Sequence, residues 1–211
     1  RLRPISVKIA QRSVFRALRA PHYFQSARRH SVTATSVRAS GSSTNALGLM
    51  SMTGVIQLDW RQGVSDADLD RLRAGDSVEL TGRVLSLRDA SAARLARALA
   101  DGEPLPISLA NQILYAVGPS PPKPGQVIGS AGPTTTARMA RYLPALFRAG
   151  VRAVIGKGEL HGDDMAHFVA HRAVYAAAIG GLGALLAKQI SAASPVGYED
   201  LGPEALFALD I

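Results

Sequence analysis

The chain has 211 residues, 47% of them hydrophobic and 19% charged, a balance that excludes a disordered polymer and suffices for one good core. Its formal charge of +8 points to nucleic acid or an anionic membrane only until the charge is located: residues 1–51 hold nine of the 24 Lys and Arg and none of the 16 acids, leaving 15 basic residues against those 16 acids in the remainder. The body is thus close to neutral, its aromatic residues are few, and neither nucleic acid nor membrane is expected as a partner; the absence of cysteine excludes disulfides, zinc–thiolate sites and a cysteine nucleophile.

Residues 1–51 are Arg- and Ser-rich and free of acid, the composition of an organellar transit segment. The chain starts at Arg1, and Met50 and Met52 are plausible starts, so the second reading is a disordered basic leader or an extension foreign to the fold. Fold reasoning therefore begins at Thr53, with residues 53–211 as one domain. "VSDADLDRLRAGD" predicts a short helix with Ser65 as N-cap, acids in its first turn and Gly75 at its stop. "SVELTGRVLSLRD" alternates Val78, Leu80, Gly82 and Val84 with more polar neighbours and predicts a strand. "ASAARLARALADGE" has the spacing of a helix that stops at Gly102. Two short apolar runs, "ILYAVG" and "QVIGSAG", read as strands joined by the proline-rich loop "PSPPKPG".

The stretch "GSAGPTTTARMARYLPALFRAG" predicts a strand-to-helix turn, with Thr134 or Thr135 near the N-cap and the helix running to about Ala149. "VRAVIGKG" is a buried strand and "DDMAHFVAHRA" a helix. "VYAAAIGGLGALLAKQI" is shorter than the roughly 18 to 20 residues of a membrane span, and its glycines suit a strand turning tightly into a helix. "EDLGPEALFALDI" reads as a helix running into a strand that stops early, as a truncated final element would.

The chemistry gathers in the threonine stretch. The first turn of a helix offers unpaired N–H groups and the positive end of the macrodipole, an anion site. Arg138, one turn beyond Thr134, adds a fork suited to carboxylate or phosphate. Lys157 ends the next strand, between Gly156 and Gly158, and strand ends and helix starts of an open α/β sheet share one crevice. The expected ligand is a small polyanion. A threonine after proline is also an ordinary helix cap, and surface Arg and Lys are usually solvated; the conjunction with Gly-Lys-Gly is what favours a site. A P-loop is excluded, because its lysine sits on the glycine loop itself. His167 and His171, an i, i+4 pair, lack a third ligand of recognised spacing, so a solvated helix face is the reading and no metal site is expected in this chain.

"VIGSAGPTTTARM" followed by "VIGKG", together with "LTGRVLSLRDASAARL", "GGLGALLAKQI" and "EDLGPEALFALDI", resembles the β-type subunit of the iron–sulfur hydro-lyases, class I fumarase and L-tartrate dehydratase, over residues 53–211. The resemblance implies a swivelling β/β/α three-layer α/β domain. It further implies a partner α-type subunit carrying a [4Fe-4S] cluster on three cysteines, in an α2β2 heterotetramer, with the unique iron as Lewis acid on the substrate's carboxylate and hydroxyl. By motif position, Arg88, Arg138 and Lys157 bind substrate carboxylate, Thr135 hydrogen-bonds substrate and Thr134 is the proton-transferring group. Two positions depart from that pattern: Ala92 stands where the family has histidine, and Ala140 where an aspartate follows Arg-Met.

The expected function is reversible dehydration of a four-carbon hydroxy-dicarboxylate, malate to fumarate or tartrate to oxaloacetate, in the cytoplasm, or in mitochondria where the leader is a transit segment. The alternative is a non-catalytic carboxylate-binding subunit that regulates or scaffolds, motivated by Ala92 and the early stop. A third reading, a phosphate ligand at the threonine helix, predicts stabilisation by nucleotides or phosphosugars.

Overall fold

A computed structural model of the chain describes residues 4–11 and 54–211. Its strands are β1 (Ile5–Gln11), β2 (Ile56–Trp60), β3 (Ser77–Leu87), β4 (Ile113–Ala116), β5 (Ala153–Gly156), β6 (Val174–Ala177), β7 (Ala192–Gly197) and β8 (Leu206–Asp210). The helices are α1 (Asp66–Arg71), α2 (Asp89–Asp101), α3 (Leu143–Arg148), α4 (Asp163–Ala170) and α5 (Gly183–Ala187). The fold is mixed α/β, with a sheet at its core.

All the strands belong to one sheet, and β3 is its hub. The first half of β3 lies between β1, antiparallel with Ile5 opposite Leu80, and β2, parallel with Ile56 opposite Val78. Its second half lies between β8, antiparallel with Arg83 opposite Asp210, and β4, parallel with Leu85 opposite Leu114. From β4 the order continues in parallel through β5 and β6. Strand β1 then pairs β6 antiparallel, so the pairing β1–β6–β5–β4–β3 returns to its start.

Strands β3 to β6 alternate between two buried faces with the period of two that a pleated strand imposes. Leu85, Leu87, Leu114, Ala116, Val154 and Tyr175 share one apolar cluster with α2, α3 and α4. Val84, Ile113, Tyr115, Ile155, Val174 and Ala176 share the other with β1, β2 and α1. Burial on both faces is why these strands read as nearly continuous apolar runs. The arrangement sends the carboxyl ends of β3, β4, β5 and β6 to one edge.

Several expectations need correction. Strand β1 comes from the segment set aside as leader, where Ile5, Val7 and Ile9 alternate into the core; residues 12–53, and with them the transit reading, lie outside the described residues. "QVIGSAG" is no strand: the loop is held by Gly129 N–H to Ser120 O at 3.1 Å and Ala131 N–H to Gly183 O at 3.0 Å instead of a ladder. The helix expected from Thr134 to Ala149 is two 3₁₀ turns, Thr136–Arg138 and Ala140–Tyr142, followed by α3. Pro144 explains the late start: it is tolerated in a first turn and breaks a helix interior. The stretch Glu199–Glu204 is likewise 3₁₀ with Gly202 outside helical dihedrals, not an α-helix. Helix α1 ends at Leu72, ahead of Gly75.

Candidate functional site

The three threonines enter the sheet edge as an extended segment. Thr134 N–H donates to Ala116 O at the end of β4 (2.7 Å), Lys157 N–H donates to Thr134 O (3.2 Å), and Thr136 N–H donates to Lys157 O (3.0 Å). Thr135 and Lys157 thereby form a parallel bridge just beyond β5. Two of the N–H groups expected to await an anion are used in this way, so an extended segment bridged to the ends of β4 and β5 stands where the helix start was expected. The hydroxyls differ in consequence. Thr136 is buried, and its Oγ1 lies 3.2 Å from the hydroxyl of Tyr175, which donates to Gly158 O at 2.8 Å. Burial holds the Tyr175 phenol above its ordinary pKa, with the Thr136 contact acting in the opposite direction, so it stays a neutral donor. Thr134 is half-buried and Thr135 exposed, and neither hydroxyl has a hydrogen-bond partner among the described residues.

The cations reach the same edge by three routes. Lys157 follows β5, and its stem runs past Gly180, where a Cβ would sit 3.3 Å from Cδ and 3.7 Å from Nζ. Its ammonium forms no ion pair among the described residues. Arg88 follows β3 at the start of α2. Its side chain lies over Gly118, beyond β4, where a Cβ would come within 2.8 Å of Nη1 and 2.9 Å of Cγ. Arg138 leaves the first 3₁₀ turn, and its N–H donates to Thr135 O at 3.3 Å.

Both arginines meet carboxylates that the sequence reading did not place. Asp89 takes Arg138, with Nε to Oδ1 at 3.2 Å and Nη2 to Oδ2 at 3.1 Å. Glu204 takes Arg88, with Nη2 to Oε1 at 3.3 Å. The Arg-Asp dipeptide was the signal for Asp89. Glu204 is 114 residues from the Ala90 amide that it also binds, so no local pattern reveals it. Of the three cations, Lys157 alone makes no ion pair among the described residues.

The structure therefore brings Thr134, Thr135, Lys157, Arg88 and Arg138 to the carboxyl ends of parallel strands, the position at which open α/β sheets bind ligands. Ala92 is wholly buried in the apolar cluster between the sheet and α2, one turn from Arg88. A cavity of about 510 Å³ lined by Lys123, Ile128, Ala184 and Lys188 lies beside the proline-rich loop, and none of the five residues lines it. The residues of the edge do not fit an iron–sulfur cluster: the chain has no cysteine, and among the described residues no group of three His, Asp or Glu could hold a metal ion.

The family described as Fumarase C-terminus matches residues 31–211. A Methanocaldococcus jannaschii protein provisionally named L(+)-tartrate dehydratase subunit beta is 34% identical over 149 residues, 68% of this chain and 76% of that protein. Two Escherichia coli K12 proteins are also similar: the aerobic class I fumarate hydratase at 30% identity over 147 residues and the anaerobic one at 32% over 149. In each the alignment covers 69% of this chain and 27% of the relative. The chain thus spans most of the archaeal relative but only about a quarter of the fumarate hydratases.

Proposed function

The chain belongs to the Fumarase C-terminus family of β-type hydro-lyase subunits, and from that premise we propose that it is the β-type part of an enzyme removing water from a four-carbon hydroxy-dicarboxylate. The substrate is malate, giving fumarate, or tartrate, giving oxaloacetate. An α-type partner completes the site in an α2β2 heterotetramer and carries the [4Fe-4S] cluster, which supplies Lewis-acid chemistry when bound. The swivelling β/β/α arrangement and a cytoplasmic location belong to the same reading; no helix among the described residues is long and apolar enough to cross a membrane.

The observation that carries it is the convergence of Lys157, Arg88 and Arg138 with two unpartnered threonine hydroxyls on one sheet edge. Taking a proton from the carbon next to a carboxylate builds negative charge on that carboxylate. Fixed cations at its oxygens stabilise that charge without reorganising. Lys157 is the readiest of the three, having no counter-ion to displace. Thr135, exposed on the bridge to Lys157, hydrogen-bonds the substrate. Thr134 lies one residue deeper with its backbone pinned at both N–H and C=O, which fixes where its Cβ stands on the edge and leaves its hydroxyl to turn towards a substrate. Its ordinary basicity is low, and a cation beside it is what would stabilise the alkoxide.

The test is to purify the chain with its α-type partner without oxygen and follow dehydration of malate and tartrate. Turnover is expected only in the mixture, and Thr134→Ala is expected to lower kcat by roughly a hundredfold or more. Stable complex formation without turnover on either substrate would favour the non-catalytic reading, and near-normal turnover in Thr134→Ala would remove Thr134 from the chemistry.

A further inference from the structure

A long arginine side chain is a precise ligand only when something fixes it, because its rotamer freedom must be given up on binding. Asp89 gives Arg88 a longer ion pair than Glu204 does and is shared with Arg138. The Arg88 Nε and the Asp89 Oδ2 lie 3.5 Å apart, both are closed to solvent, and neither makes a hydrogen bond. Asp89 is turned towards Arg138.

The carboxylate of Glu204 is divided between two tasks. Oε1 faces Arg88 Nη2 at 3.3 Å, and Oε2 accepts the N–H of Ala90 at 2.8 Å. Ala90 is in the first turn of α2, whose amides have no partner within the helix, and Arg88 at the N-cap has no acceptor with which to satisfy them. Glu204 therefore caps α2 from a distant segment, where the helix dipole favours its charge. That segment is itself clasped to α2. Arg94 meets Asp200 through two contacts of 2.7 and 2.8 Å, and its guanidinium lies 4.9 Å from the centre of the Tyr198 ring. Beyond Glu204, buried Ser86 donates to Ala205 O at 3.1 Å and accepts from Phe207 N–H at 2.9 Å. Glu204 is anchored on both sides.

We propose that Glu204 is the positioning residue for Arg88: it holds the guanidinium over Gly118 and leaves Asp89 to Arg138, so that the two arginines stay apart as separate ligands. This rests on the reading of Arg88 as a substrate ligand. In Glu204→Gln the amide oxygen satisfies Ala90 N–H, which turns the NH2 towards Arg88, donor against donor. Arg88 then swings to Asp89, the nearest remaining carboxylate, and the pair of arginines collapses onto one counter-ion.

The test joins two measurements. In the ¹⁵N-labelled chain, the guanidinium resonances of Arg88 are expected to shift and to broaden or sharpen with faster rotation in Glu204→Gln; unchanged Arg88 resonances would overturn the inference. In the oxygen-free complex with the partner, Glu204→Gln is expected to raise KM roughly tenfold with a smaller change in kcat, and to have no further effect in an Arg88→Ala background. An equal effect in both backgrounds would show that Glu204 acts through α2 alone, and would also overturn it. Released Arg88 resonances together with a wild-type complex inactive on every dicarboxylate would support the placement of Arg88 by Glu204 while refuting the proposed reaction.

Discussion

The threonine triplet shows how neighbouring side chains of one type take different roles. Thr136 faces inward to Tyr175 and is part of the scaffold, whereas the hydroxyls of Thr134 and Thr135 have no hydrogen-bond partner among the described residues. Gly156 is the condition for this arrangement. A Cβ there would overlap Thr136 Oγ1 and lie 3.2 Å from the Ala116 Cβ, so the glycine before Lys157 serves close approach of the threonine segment. Gly156→Ala is expected to destabilise the chain by about 1–3 kcal/mol, the usual range for overpacking, read as a lower urea midpoint. Adding Thr136→Ala should recover part of that loss. A double variant no more stable than Gly156→Ala alone would remove the Thr136 contact as the cause.

At the scale of elements, local chemistry sets a helix start where the capping side chain keeps its bond to the first turn. The Ser65 hydroxyl accepts from Asp68 N–H at 3.1 Å, as an N-cap should. Ser65→Ala is expected to lower stability by about 1 kcal/mol and to leave substrate kinetics of the assembled enzyme unchanged, because α1 packs on the sheet face opposite α2, α3 and α4. Thermal melts and a KM measurement check the two halves of that statement. Strand β7 escaped the sequence reading because "AASPVG" has neither an apolar alternation nor strong β-formers. It is an edge strand paired to β8 alone, where Pro195 is tolerated. The threonine stretch misled for the opposite reason: its capping residues were real signals, but backbone bonds to Ala116 and Lys157 outweighed them.

At the scale of the molecule, arginine–carboxylate pairs tie segments far apart in the chain. Arg83 binds Asp210 across β3 and β8 at 2.7 and 3.1 Å, Arg94 binds Asp200, and Arg152 binds Asp66. The arginine hydrogen bonds hold the Asp66, Asp200 and Asp210 carboxyls below their ordinary value of 3.8. A depressed native pKa means that the unfolded chain takes up protons first. The stabilisation is therefore complete above that ordinary value and lost as pH falls through the depressed ones. The melting temperature is expected to fall below about pH 4, modestly because these pairs are largely exposed. Asp210→Asn should flatten part of the fall, and an identical pH profile in that variant would show that the pair contributes nothing.

The sequence by itself determined strands β3 to β6, helices α1, α2 and α4, and the residue types of the site, because alternation, helical spacing and the Arg-Asp, Thr-Thr-Thr and Gly-Lys-Gly motifs are local; β2, paired to β3 across α1, was not read from it. The sequence gathered Thr134, Thr135, Arg138 and Lys157 at one crevice from an expected helix start and a strand end, and Arg88 joined them through the family resemblance. Only the tertiary structure decided that the threonines form an extended bridge and not an α-helix start, that Thr136 belongs to the scaffold, and that Asp89 and Glu204 pair with the arginines. Each of those depends on a hydrogen bond or ion pair formed when β3, β4, β5 and the segment before β8 meet, and the free energy of such contacts exceeds the small conformational preferences that a linear sequence expresses.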